Sequence, residues 1–130
     1  MTGIFVDTST LVALAFEEPG HDELSRLLGS DSELFAAPLL EAEFRAVLAR
    51  EQTEDGLGLL DAFRWVLPDR TLSPELDRVF ASGYVRGAHA WHLATALFLV
   101  ERPEDLPFLT LDRRQRNAAE ALGFPVPLVG

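Results

Sequence analysis

Three carboxylates and a pair of histidines stand where chemistry could be done in this sequence. Asp7 and Asp112 hold matching places in FVDTST and LTLDRRQ, each after a short apolar run and before a helical segment. In open parallel sheets, ligands bind beyond the carboxyl ends of the strands, so both aspartates should emerge on one edge. Each could equally cap the helix that follows it. Glu43 lies within the apolar stripe Leu40, Phe44, Val47 and Leu48, whereas Glu41 faces elsewhere, with Arg45 four residues on as a solvated partner. A carboxylate on a buried stripe is costly unless it is paired with a cation or bound to a metal. The alternatives are a buried ion pair with an arginine or a shared metal. Converging carboxylates are hard oxygen ligands suited to Mg2+ or Mn2+, which activate water and stabilise phosphoryl transfer. Thr8, Ser9 and Thr10 follow Asp7 and could orient water on such an ion or cap the helix. Arg113, Arg114 and Arg116 follow Asp112, as a solvated charge run or as a basic lip that admits phosphates.

The elements that would position these groups alternate between strand and helix. GIFV (3–6), ELFAA (33–37) and PFLTL (107–111) read as buried strands, and FPVPLV (124–129) as a last short one. VLPDRTL (66–72) suggests an edge strand, because Pro68 cannot donate to a central ladder. Helices are expected from Thr8 to Glu18, over 21–29, over 38–51 behind Pro38, and over 53–66, the last weakened by Gly56 and Gly58. Further helices are expected from Ser73, as N-cap, over 87–101, and from Arg113 to a stop at Gly123. This alternation predicts an α/β fold: a central, mostly parallel sheet of four or five strands with helices on both faces, residues 1–130 forming a single domain.

The totals narrow the function. The chain carries a net charge of −10, and all eleven of its basic residues are arginine. Such a chain is not a general nucleic-acid binder; it needs a local basic patch or a metal ion to meet phosphates, and it suits a basic protein partner. There is no cysteine, so disulfides, thiolate catalysis and Cys-ligated zinc are excluded. No leader peptide and no membrane span is read, and a soluble, cytoplasmic protein is expected.

Taken together, these stretches resemble the PIN-domain family and, within it, the VapC-type toxins of bacterial toxin–antitoxin pairs. FVDTSTLVAL is similar to the family's opening strand, aspartate and Thr/Ser pair. AAPLLEAEFRAVLAR is similar to its Pro-led helix with the acid, Glu43, five residues after the proline, and FLTLDRRQRNAAEALGFPV to its closing segment at Asp112. GAHAWHLATAL (87–97) resembles the stretch in which an aspartate precedes a histidine by three residues. His92 then falls on the family's histidine, and His89 on its third acidic residue. His89 is on this reading a substitution in an acidic site rather than half of a zinc pair with His92, for which no third nitrogen or sulfur ligand is apparent. A neutral imidazole still ligates, with a preference for Mn2+ over Mg2+, and lowers the charge of the cluster.

The resemblance implies a three-layer PIN-like fold and a metal-dependent endoribonuclease. Asp7, Glu43 and Asp112 would hold the ion, with His89 beside them, while Thr8, Ser9, Arg86, Arg113 and Arg114 would meet the substrate. It also implies an RNA substrate, a small antitoxin and a homodimer. Two other classes remain open. One is a degenerate PIN domain that binds protein or RNA without cutting, for which His89 speaks. The other is a phosphatase-type hydrolase with Asp7 as nucleophile; Ser9 stands where that would need a second acid, and the catalytic lysine it usually needs is absent.

Overall fold

The first strand shows how the layers are built. In a computed structural model, which describes residues 3–29 and 32–127, β1 (Gly3–Val6) is flanked on both sides by parallel strands. Side chains alternate across a strand, so Phe5 enters one apolar core while Ile4 and Val6 enter the other. Both faces are therefore covered by helices, as a parallel sheet requires. The four strands run in the order β3-β2-β1-β4, all parallel, with β2 at Glu33–Ala36, β3 at Phe63–Trp65 and β4 at Phe108–Leu109.

One layer holds α1 (Thr8–Ala15), α2 (His21–Leu28) and α3 (Leu39–Arg50), packed through Leu11, Leu24, Leu40 and Phe44, all essentially without solvent contact. The other holds α4 (Ser73–Ser82), α5 (Gly87–Leu99) and α6 (Arg113–Leu122), around Val79, Leu93 and Ala119. Phe5 stacks on Phe108 with ring centroids 5.3 Å apart, and Phe108 meets Phe124 at 5.7 Å, fixing β4 against β1 and the chain beyond α6. β1 begins on a glycine for a steric reason: a Cβ at Gly3 would stand 2.7 Å from the Phe35 ring.

Five expected elements differ. The segment 53–66 is not an α-helix. Gly56 turns at φ 98°, a 3-10 turn covers Leu57–Ala62, and Phe63–Trp65 then pairs with β2 as the edge strand. VLPDRTL is therefore not the edge; only Val66 continues the pairing, its N–H donating to Ala36 O at 3.0 Å. FPVPLV adds no strand over 124–127, and the remaining residues of that run lie outside the described ones. Two prolines remove the donors a ladder needs, leaving the bond from Phe108 N to Pro125 O at 2.8 Å. Ser73 is the first residue of α4 rather than its cap, and its hydroxyl contacts Thr71 Oγ1 instead of the backbone. Finally, α1 stops at Ala15, because Glu17 adopts φ 50°.

Candidate active site

Asp7 leaves the end of β1 and caps α1, with 3% of its surface exposed. The register Val6↔Leu109 sets it opposite Thr110, two residues short of Asp112. The two aspartates are thus staggered, and two hydroxyls tie Asp7 to the segment that carries Asp112. Ser9 Oγ donates to Asp7 Oδ1 at 2.6 Å and accepts from Leu111 N at 3.0 Å. Thr110 Oγ1 donates to Asp7 Oδ2 and accepts from Asp112 N at 3.1 Å. Thr10 adds a third tie, donating to Leu109 O at 3.0 Å. Burial pushes the Asp7 carboxyl above its ordinary range, although the Ser9 and Thr110 hydroxyls and nearby His92 pull the other way.

Glu43 projects from α3 with about a third (34%) of its side chain exposed, so it is less enclosed than its place on the stripe suggests. Thr8 Oγ1 donates to its Oε1 at 2.6 Å, and His92 Nε2 lies 2.7 Å from the same oxygen. The partner of this carboxylate is thus a histidine from α5, not an arginine. His92 is 2% exposed, and its hydrogen bond is the main reason the Glu43 carboxyl titrates below its ordinary value. Three helices meet here: α1 through Thr8, α3 through Glu43 and α5 through His92.

Asp112 serves as the cap of α6, its Oδ1 accepting from Gln115 N at 2.9 Å. Its Oδ2 faces His89 Nε2 at 3.8 Å. Gln115, wholly buried, donates to His89 O at 3.2 Å and so locks α6 to α5 at this point. The capping and functional readings of the two aspartates are compatible: the Asp112 cap occupies one oxygen and leaves the other facing His89. Glu41 and Arg45 form the solvated pair expected of them, at 2.6 Å.

Asp7, Thr8, Ser9, Glu43, His89, His92 and Asp112 therefore gather at one edge, where β1 and β4 end and four helices begin or pass. Arg86 caps α5, and Arg113 and Arg114 open α6; all three are exposed. Thr8 and Ser9 spend their hydroxyls on Glu43 and Asp7 rather than presenting them outward. Among the described residues, no three histidine or acidic groups stand close enough to form a ready metal cluster. The donor chemistry nonetheless fits a hard divalent ion. Glu43 Oε2 and Asp112 Oδ2 take no part in the hydrogen bonds above, while both Asp7 oxygens are engaged by hydroxyls that can re-aim.

Thr110 and Gln115 are site residues that local sequence pattern does not single out, and pattern alone assigns His92 no partner. Thr110 had a signal: setting FVD beside LTLD in parallel register puts a hydroxyl opposite Asp7. Gln115 had none, because its partner is a backbone carbonyl on another helix.

No helix among the described residues is long and apolar enough to cross a membrane. A curated relative, Ribonuclease VapC46 of Mycobacterium tuberculosis (strain ATCC 25618 / H37Rv), is 36% identical over 133 residues, spanning 97% of each chain. A solved structure, VapBC2 from Rickettsia felis bound to a DNA fragment from their promoter, matches with TM-score 0.71 over 98% of each chain at 10% identity, a likeness of fold. Residues 4–121, which run from β1 into the last turn of α6 and include every site residue named above, match the PIN domain model. With the acidic edge of the sheet, the three-layer fold and these matches in agreement, the chain belongs to the PIN-domain family.

Proposed function

We propose that this protein is a divalent-metal-dependent endoribonuclease, the toxin of a toxin–antitoxin pair, acting on RNA phosphodiester bonds in the cytoplasm. The observation that carries the reading is the hydroxyl-bridged pairing of Asp7 with the Asp112 segment at the strand ends, with Glu43 held beside it by Thr8 and His92. The ribonuclease name of the similar curated protein and the antitoxin complex of the fold relative support it. Asp7, Glu43 and Asp112 would hold Mg2+ or Mn2+. When bound, the ion lowers the pKa of water and offsets charge on the phosphoryl oxygens.

The chain's own residues have distinct tasks in this reading. Ser9 and Thr110 orient Asp7 and keep its buried carboxylate hydrogen-bonded, limiting the cost of its burial. His92 and Thr8 fix Glu43 and hold it ionised. His89, across from Asp112, would supply a nitrogen donor at the position that is acidic in the resembling family, favouring Mn2+. Arg86, Arg113 and Arg114 steady the backbone phosphates, bringing local positive charge to a chain of −10. The same net charge suits a small antitoxin with a basic segment, and a homodimer is proposed from family resemblance.

A binding module without nuclease activity is the second reading, favoured by His89 and by the absence of a ready metal cluster among the described residues. Incubation of the purified protein with end-labelled single-stranded RNA separates the two. The nuclease reading expects discrete products in Mg2+ or Mn2+ that EDTA abolishes; intact RNA retained by the protein in both ions would establish the module instead.

A further inference from the structure

We propose that the cleft between the loop after α4 and the face of α6 is a slot for one nucleobase of the RNA, adjoining the nucleotide whose phosphate meets the Asp112 edge. This rests on the ribonuclease reading above. The cleft encloses about 460 Å³, within the range of sites that enclose small ligands. One wall is the turn from Ser82 to Val85, and the other is the stripe Arg114, Asn117, Ala118 and Ala121 along α6. Those positions share one helix face. The alanines keep that wall flat, and Arg114 and Asn117 stand at the end nearer Asp112. Asn117 lies roughly 7 Å along the helix axis from Asp112.

Two independent features point to a nucleic-acid base. The first is Tyr84, which is 80% exposed at the mouth of the cleft while its neighbour Val85 is buried and anchors the turn. A large ring held in water beside a flat-walled slot is a stacking platform, and every base offers a π-face to it. The Asn117 amide both donates and accepts, as reading a base edge requires. The second is electrostatic. Five arginines of this acidic chain are ion-paired: Arg45 with Glu41, Arg50 with Glu51, Arg64 with Glu33, Arg70 with Glu75 and Arg102 with Glu104. Arg86, Arg113 and Arg114 have no ion-pair partner among the described residues. Arg26, Arg78 and Arg116 likewise carry no ion pair among the described residues, but Arg86, Arg113 and Arg114 together set unpaired positive charge between the acidic edge and the cleft, where a polyanion fits and a basic peptide does not.

The test is fluorescence anisotropy in EDTA, which prevents cleavage, using two labelled probes of equal length: a mixed-sequence RNA and an abasic ribose-phosphate strand. Tyr84→Ala should weaken the mixed RNA about tenfold to a hundredfold and leave the abasic strand unchanged. Tyr84→Phe should bind like the wild type, and Arg114→Gln should weaken both probes. Melting should be unaltered in the tyrosine variants, because the side chain is largely solvated. Equal affinity of Tyr84→Ala and wild type for the mixed RNA, or an equal loss on both probes, would overturn the slot while leaving the nuclease reading intact. A wild type that neither binds RNA nor cuts it once metal is restored would overturn both.

Discussion

Thr110→Val removes one hydroxyl from the centre of the site and changes little else. The residue is 1% exposed, and valine occupies nearly the same volume. Two principal hydrogen bonds disappear, the one Thr110 gives to the Asp7 carboxylate and the one it takes from Asp112 N at 3.1 Å, together with a longer contact to Ser9 Oγ at 3.3 Å. The first is charge-assisted and contributes about 2 kcal/mol; the second is neutral and contributes about 1 kcal/mol. Unfolding free energy should therefore fall by about 3 kcal/mol while Asp7 is charged. For a chain of 130 residues that is roughly 10 °C in Tm. The loss should depend on pH with a definite sign. Burial raises the folded Asp7 carboxyl above its ordinary 3.8, so ionising it costs stability as pH rises through that window. The Thr110 donor offsets part of that cost, and only while Asp7 is charged. Urea unfolding of both proteins from alkaline to acid pH should show a deficit that is largest while Asp7 is charged and shrinks as Asp7 takes up its proton. Thr110→Ser should keep most of the stability. A deficit below about 1 kcal/mol at alkaline pH, or one constant from alkaline to acid pH, would refute the reasoning.

Other perturbations probe neighbouring contacts. His92→Ala removes a side chain that is 2% exposed and should cost about 2–4 kcal/mol in urea unfolding. Glu43, freed of the bond that lowers its pKa, should also give up the stability it supplies above its ordinary 4.5 and loses in acid, so the acid limb should flatten. His89→Asp sets a second carboxylate beside Asp112, 3.8 Å from the present imidazole. It should melt lower without metal and gain more from added Mg2+ than the wild type does, which thermal scans with and without the ion would show. Gly3→Ala places a Cβ 2.7 Å from the Phe35 ring and should cost about 1–3 kcal/mol, read as a lower denaturation midpoint; an unchanged midpoint would mean that the ring yields freely.

The sheet and the three acidic residues were legible because periodicity and turn chemistry are local. GIFV, ELFAA and the aspartate after β1 follow from short apolar runs ending in a capping residue. The edge strand was not legible. Phe63–Trp65 follows directly on a 3-10 turn, and its strand character comes from pairing with β2 rather than from its own pattern. The partner of Glu43 was hidden for a similar reason: His92 lies on a helix whose apolar run does not reveal which face meets α3. The three acidic groups gather at one edge, as their places at the strand ends and on the α3 stripe lead one to expect. Their hydroxyl cement depends on register, because Thr110 faces Asp7 only when Val6 stands beside Leu109.

The central claim is that this acidic edge cuts RNA, and Asp7 is the residue on which it turns. Single-turnover cleavage of end-labelled RNA should be measured for wild type and Asp7→Asn, in Mg2+ and in Mn2+, with melting curves for both proteins. We expect metal-dependent cleavage by the wild type, faster in Mn2+, and none by Asp7→Asn. The variant should melt no lower at neutral pH, because burial disfavours the charge it removes. Equal rates for the two proteins, or no cleavage by folded wild type in either ion, would contradict the account.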